Sequence, residues 1–304
     1  MTKSIKATLI DAFKNTSFTL KDAYQKCAGF PSESVRARIY ENLGTAFERV
    51  GKGIYIAKDE ECVLIEGDGR DLSFLEDNSI DCIITDHPWE DKKANKGGSR
   101  DFAQYGCFKY TQEDFNEKAR VLKEGSFLVE LIPAENETNY EYLYEMKKMA
   151  EAAGFQYYSK VPWIKGTFVS NTGRKSKNTE ELMIFSKGKP RKLRYDTQRS
   201  LKYGQPVYMG GTAKMLPTAF NVQPIPSKAR IHPSEKPVLL FEQLLEYVTL
   251  PGEIVVDQFA GSGAVGEACR NTGRKCVLVE LAKEYIDKIT RRLSLEPLAA
   301  AEAE

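Results

Sequence analysis

The sequence predicts an α/β fold, a mostly parallel sheet flanked by helices, with a small unit of different character ahead of it. Three observations carry this reading. From residue 62 to residue 293, short β-branched and apolar runs alternate with amphipathic stretches, as in strands joined by helical crossovers. A glycine turn, Gly261-Ser262-Gly263, stands between a predicted strand and a predicted helix. Residues 4–57 carry their own apolar periodicities and a strongly basic balance.

Bulk properties set the frame. At 304 residues the chain holds one large domain, or one large and one small. With 41% hydrophobic and 29% charged residues it reads as an ordinary soluble chain. Its net charge of +1 means that any affinity for nucleic acid must come from local patches. Cys27, Cys62, Cys82, Cys107, Cys269 and Cys276 form no C-x-x-C pair, and several lie in apolar runs. That predicts reduced core thiols rather than disulfides, and no metal site. No segment reaches the roughly 18 apolar residues of a membrane span, and the first residues lead into no signal-like run. The expectation is a cytoplasmic protein.

Residues 1–58 form the first predicted domain. Leu9, Ile10 and Phe13 give one helical face, and Thr19 is placed to cap a helix over Leu20–Cys27. Ser32 is placed to cap a third helix, with Val35, Ile39 and Leu43 on its apolar face. Phe47 to Ile56 alternate around Gly51-Lys52-Gly53, a hairpin signal. Three helices and a hairpin resemble a winged helix. The segment holds ten Lys and Arg against five acids, so Arg36, Arg38 and Lys52 are candidate DNA contacts. A packing or dimerisation unit with a solvated basic face is the plainer alternative.

Residues 59–304 form the second predicted domain. Cys62–Glu66 reads as a strand, Leu72–Leu75 as a short helix, and Ile80–Thr85 as a strand that ends on Asp86-His87-Pro88-Trp89. An acid, a fixed bend and a large aromatic at a strand end suit a flat polar ring. The polar, glycine-bearing stretch 90–110 follows, carrying Lys92, Lys93 and Arg100; a loop of that length is functional or disordered. Then come a helix (112–121), a strand (126–132), a helix (139–153), a strand (155–162) and a strand around 180–188. Residues 187–236 lose this rhythm and hold eleven Lys and Arg against two acids, among Tyr195, Tyr203, Tyr208 and Phe220. Cations beside aromatics suit phosphates and splayed bases, so Arg191, Arg194, Arg199, Lys202 and Lys214 are further candidate DNA contacts. A solvated surface insertion is the alternative. The pattern resumes with a helix (238–248), the strand Ile254–Asp257, a helix (264–272), the strand Cys276–Glu280 and a helix (283–293); the tail from Pro297 reads as unstructured.

Gly261-Ser262-Gly263-Ala264-Val265-Gly266 fits G-x-G-x-x-G, with Glu280 placed as a ribose acid, so a nicotinamide site has to be weighed. Only one further strand follows the turn, too few for a second mononucleotide half. Asp257-Gln258-Phe259-Ala260-Gly261-Ser262-Gly263 instead resembles the D-x-F-x-G-x-G cofactor motif of S-adenosylmethionine-dependent methyltransferases. Asp86-His87-Pro88-Trp89 resembles the Asp-Pro-Pro-Trp of amino-group methyltransferases with one substitution. Gly67-Asp68, Trp163-x-Lys165, Glu181 with Phe185-x-Lys187-Gly188, and His232-Pro233-Ser234-Glu235-Lys236-Pro237 fall in the matching order. Over about residues 60–290 the chain resembles the permuted β class of S-adenosylmethionine-dependent DNA amino-methyltransferases, and the one departure, His87, bears on loop rigidity.

The resemblance implies a Rossmann-like methyltransferase domain with a seven-stranded, mostly parallel sheet. It places a target-recognition insertion at about 187–230. It implies S-adenosylmethionine as cofactor, with Asp68 at the adenine edge and Asp257, Phe259, Gly261, Ser262, Gly263 and Glu280 around the rest. Lys236 and Pro237 would open the helix beside the methionine end, and His232 would be structural. Asp86, His87, Pro88 and Trp89 would grip a flipped-out adenine, with double-stranded DNA as partner. Adenine N6 is preferred because the family's cytosine enzymes usually carry Ser in place of the Asp. Cytosine N4, RNA adenine and an inactive DNA-binding regulator stay open, as does a homodimer. The His87 imidazole is read as a tolerated variation, with phosphate contact or tuning of Asp86 the lesser alternative; losing one loop proline costs about 0.4–1 kcal/mol.

Overall fold

The computed structural model describes all residues except 1–3, 14–16, 45, 58–61, 90–106, 170–174, 194–201, 203, 205–215, 294–297 and 300–304. The N-terminal unit contains helices α1 (Ile5–Ala12), α2 (Leu20–Lys26) and α3 (Ser32–Glu41) and strands β1 (Ser17–Thr19), β2 (Phe47–Gly51) and β3 (Ile54–Ala57). The strands pair antiparallel in the order β1-β3-β2. Thr19 caps α2 as expected, in a reciprocal box with Asp22 that satisfies two orphan amides. Pro31, rather than Ser32, holds the N-cap position of α3. Ile10 is 38% exposed, so the buried face of α1 is Ile5 and Leu9. Strand β1 is too short to carry a period-two signal.

The larger sheet is built on strands β4 (Cys62–Glu66), β5 (Ile80–Thr85), β6 (Leu122–Pro133), β7 (Phe155–Val169), β8 (Lys175–Lys187), β10 (Ile254–Asp257) and β11 (Lys275–Glu280). Two-residue strands β9 (Phe220–Asn221) and β12 (Leu298–Ala299) extend the edges. Among the described residues the order is β12-β4-β11-β10-β5-β6-β8-β7-β9, and only β8 runs against the rest. The core seven match the expectation. The tail expected to be unstructured supplies β12, and Leu72–Leu75 forms turns instead of a helix.

Helices α4 (Gln112–Val121) and α5 (Tyr140–Ala152) cover one face; α6 (Val238–Val248), α7 (Ala264–Asn271) and α8 (Lys283–Leu293) cover the other. The central strands are therefore apolar on both sides: Val63 and Ile65 face α4 and α5, while Cys62 and Leu64 face α6 to α8. Ile54 and Ile56 of the N-terminal unit join the first of these cores, and Lys275 pairs with Glu48 across the junction. The described helices include none long and apolar enough to cross a membrane.

The expectation of reduced thiols is corrected at one place. Cys62 and Cys276 are register partners on β4 and β11, with Cα atoms 4.6 Å apart, and are joined in a disulfide. They lie 214 residues apart in sequence, so spacing could not reveal the pairing. Cys27, Cys82 and Cys269 are free and buried, and Cys107 is free and exposed.

One ion pair lies wholly inside. Lys118 of α4 meets Glu130 of β6 at 2.5 Å, both side chains without solvent exposure, and Lys118 also lies 3.4 Å above the Tyr110 ring. Burial lowers the Lys118 ammonium and raises the Glu130 carboxyl. Removing one partner strands a buried charge. Lys118→Met is expected to lower unfolding free energy in urea by about 3–5 kcal/mol, and Lys118→Met with Glu130→Leu by much less. Equal losses in the single and double variants would contradict this reading.

Candidate active site

The chain leaves β10 toward β11 on one side and β5 toward β6 on the other. The crossovers therefore diverge between β10 and β5, opening a crevice at the carboxyl ends of those strands. Asp86 directly follows β5, and Asp257 ends β10. Asp86 is 28% exposed at its side chain and pairs with Lys236, which lies just ahead of α6 and is 11% exposed. Lys236 is also 3.7 Å from Glu180 of β8, and Glu180 pairs with Lys165 of β7. Burial pushes the Asp86 carboxyl up, against the pull of Lys236. Burial works against charge on Lys236 as well, but Asp86 and Glu180 together hold its ammonium above the usual value. The Glu180 carboxyl stays low despite burial, because two lysines face it.

The motif pattern marks Glu181 and passes over its neighbour. Successive strand residues face opposite sides. Glu181 meets Lys160 at 3.2 Å, while Glu180 belongs to the Asp86 cluster. Lys236, expected beside the methionine end of the cofactor, sets its ammonium against Asp86.

The glycine turn forms the other half of the crevice. Gly261 and Gly263 adopt φ of +51° and +76°, conformations that favour glycine, and Gly263 caps α7. Glu280 accepts Gly261 N–H and Ala282 N–H, each at 2.8 Å, so one carboxylate shapes the turn and the following loop. Those oxygens keep acceptor capacity for a ligand hydroxyl. Asp257 is buried and accepts Phe259 N–H at 3.2 Å. Burial pushes its carboxyl up to about 8; the Phe259 amide opposes this, and Asp86 and Glu280 reinforce it. Asp68 follows β4 and is held by Arg70, whose guanidinium approaches to 2.8 Å. That guanidinium also covers the Phe108 ring, which contacts Phe259 at 5.5 Å between centroids.

Several supporting residues carry no motif. The Gln258 side-chain amide donates to Gly69 O at 2.7 Å, and a Cβ on Gly69 would meet Gln258 O at 1.8 Å. Only glycine permits that approach. Gln258 Oε1 is buried without a partner among the described residues. Arg292 of α8 donates to Ser262 O at 3.0 Å and pairs with Glu235 at 2.7 Å, tying the turn to the 232–237 segment. A Cβ on Gly261 would meet the His232 ring at 3.6 Å; His232 accepts Ser234 N–H, and burial pushes its imidazole down to about 4.

His87 is corrected. It is 1% exposed and central to an aromatic cluster, with ring centroids 4.1 Å from Trp89 and 4.2 Å from Tyr110. Its Nε2 is hydrogen-bonded to the Tyr142 hydroxyl at 3.2 Å, which also accepts Tyr110 N–H at 2.8 Å. Burial, aided by Lys118, holds the imidazole well below its usual range and therefore neutral. Neither phosphate contact nor titration near neutrality fits that setting. Rather than a bare spacing change, the ring anchors the loop, and Pro88 O accepts Phe108 N–H at 3.3 Å beside it. Trp89 is half-buried and edge-on to Tyr142 at 5.4 Å.

The cationic candidates divide three ways. Arg36, Arg38 and Lys52 are exposed on the N-terminal unit, with Arg38 paired to Glu41 at 2.7 Å. Lys202 is exposed as well. Arg191 is engaged inside the fold, forked onto Glu253 at 2.6 Å and 2.6 Å and donating to Asp81 O near the amino end of β5. That geometry removes it from the DNA-contact set. Lys92, Lys93, Arg100, Arg194, Arg199 and Lys214 lie outside the described residues.

A switch-point crevice, a glycine turn and a strand-end acid define an α/β enzyme of the methyltransferase type. The chain belongs to the N6/N4 DNA methylase family, whose sequence profile matches residues 80–291. The type II methyltransferase M.HpaI of Haemophilus parainfluenzae is 26% identical over 234 residues, covering 74% of this chain and 71% of that protein. The structure of M1.HpyAVI with SAM superposes with a TM-score of 0.55 at 22% identity, covering 77% of this chain and all of that one, 100%. The cytosine-N4-specific PvuII DNA methyltransferase gives a TM-score of 0.55 at 17% identity, covering 79% and 95%. These two structural likenesses establish the fold.

The raised Asp257 carboxyl has a stability consequence. Its folded-state value of about 8 lies above the ordinary 3.8, so the folded protein holds a proton that the unfolded chain releases. Stability of the ligand-free protein therefore falls as pH rises between those values. Asp257→Asn is expected to raise Tm by about 2 °C or more at about pH 9 and to leave it unchanged at about pH 4. An equal shift at both pH values would contradict the assignment.

Proposed function

We propose that this chain transfers a methyl group from S-adenosylmethionine to the N6 amino group of an adenine flipped out of duplex DNA. The observation that carries the reading is the pairing of a strand-end carboxylate, Asp86, with a positive-φ glycine turn across one switch-point crevice. Family membership supports methyl transfer to DNA. The Asp at position 86, where Ser is usual in cytosine enzymes of the resembling class, supports adenine. The likeness to a cytosine-N4-specific fold keeps cytosine N4 as the second reading.

The residues fit the cofactor. Gly261 and Gly263 leave room for close backbone approach, Glu280 has acceptor sites left for ribose hydroxyls, and Asp68 and Phe259 flank the crevice. The orphaned, buried Gln258 Oε1 adds an acceptor beside the turn. When bound, the cofactor supplies an electrophilic sulfonium methyl. Asp86 and the carbonyl of residue 87 then accept the two N–H bonds of the target amino group. This localises its lone pair and fixes its direction, so that positioning and fixed dipoles supply much of the rate. Trp89 stacks on the extruded base, held by His87 and Tyr142 behind it. After transfer the nitrogen is strongly acidic, and Asp86 takes its proton and passes it to water.

The N-terminal unit is proposed as a winged-helix-like DNA-contacting domain, and the 187–230 segment as the target-recognition region, with the exposed Lys202 among its candidate contacts. The Arg38–Glu41 pair is exposed, so its net worth is small and Arg38 is readily traded to a phosphate.

Asp86→Ala is expected to lower methyl transfer to duplex DNA by about a hundredfold or more, while calorimetry finds cofactor affinity retained. Native turnover in that variant would sink the assignment. Replacing Arg36, Arg38 and Lys52 together by Gln should reduce the slope of log affinity against log salt by about 0.9 for each phosphate no longer neutralised. An unchanged slope would make the basic face a solvated one.

A further inference from the structure

The described residues around Asp86 form an alternating chain of charge: Asp86, Lys236, Glu180, Lys165. Two carboxylates and two ammoniums sum to zero. The other acids facing Asp86 are Glu130 from β6 and Asp257 from β10. Taking Asp86 as the acceptor of the target amino group, which rests on the function proposed above, one oxygen of its carboxylate is already occupied. Lys236 Nζ, an N–H donor of the same reach as an exocyclic amino group, sits on Oδ2.

An unpaired carboxylate in a partly buried crevice is costly, so a resident donor stabilises the empty site. Lys236 also has somewhere to go. Its nitrogen is 3.7 Å from Glu180 Oε2. A shift of about 1 Å reaches the ~2.8 Å of a charge-assisted hydrogen bond. After the shift Asp86 is open to a neutral base, the cluster keeps its zero net charge, and Lys236 still lies close enough to favour ionised Asp86.

We propose that Lys236 is a positioning residue that holds the place of the target amino group on Asp86 and hands that carboxylate over by moving to Glu180 when the base arrives. No bond is made or broken in the hand-over. It explains why an ammonium is set between two carboxylates, and why Glu180 rather than Glu181 turns toward the cluster.

The test uses the full chain as native protein, Lys236→Met, Lys236→Arg and Glu180→Gln. Asp86 is titrated in the free protein by carboxyl 13C NMR, with Asp86→Asn used to assign the resonance. Single-turnover methylation of duplex DNA is then followed against pH, and cofactor affinity is measured by calorimetry. In Lys236→Met the Asp86 titration is expected to move up by about one unit or more, and the rate loss to be about tenfold greater at about pH 6 than at about pH 9. Lys236→Arg restores both. Glu180→Gln slows single turnover by about tenfold, since the displaced ammonium then has no second carboxylate to receive it.

An unmoved Asp86 titration, a rate loss equal at every pH, or a Lys236→Met defect confined to cofactor affinity would each overturn the proposal. Native rates in Glu180→Gln would overturn the hand-over. If native protein methylated no DNA while the Asp86 titration still followed Lys236, the assigned function would fall and the Asp86–Lys236 coupling would stand.

Discussion

The constraint on which the rest depends is the divergence of the chain between β10 and β5. Neighbouring parallel strands whose crossovers leave in opposite directions cannot cover the ends between them, so a crevice opens there. The fold fills its rims with chemistry: Asp86 from one strand, Asp257 and the glycine turn from the other. Gly261 and Gly263 take positive φ so that backbone lines the gap, and Glu280 pins the turn with two amide hydrogen bonds. Burial at this junction raises both Asp86 and Asp257.

Beneath the Asp86–Trp89 segment the structure places costly groups. A solvent-free Lys118–Glu130 pair lies under Tyr110, and Tyr110 reaches His87 through Tyr142. Such a pair is weak evidence for stability, because two desolvated charges rarely gain more than they lose. Its position is informative all the same. The stack from α4 through Tyr110, Tyr142 and His87 to Trp89 gives the Trp89 ring a fixed backing, which suits the proposed stacking on a base. The substitution of His for the usual Pro thus exchanges backbone restraint for side-chain anchoring.

Much of this is legible from residue order. The apolar runs of the parallel strands, the Thr19 cap, and the acids ending β5, β10 and β11 follow from local periodicity and turn chemistry, and local rules survive folding. What stays hidden depends on register between distant segments. The Cys62–Cys276 bond needs the pairing of β4 with β11, the Gln258–Gly69 contact needs the approach of two loops, and β12 needs the open edge of β4. Glu180 escapes a reading by motif because strand phase decides which of two adjacent acids turns inward. Arg191 looks like part of a basic run, but Glu253, 62 residues on, has a prior claim on it.

Asp86 is proposed to present an acceptor to an adenine amino group. The direct measurement is to incubate native protein with duplex DNA and methyl-labelled S-adenosylmethionine, digest the DNA and identify the labelled nucleoside by mass spectrometry. That role of Asp86 predicts label in N6-methyladenine. Label in N4-methylcytosine, or none in any DNA nucleoside, would contradict it.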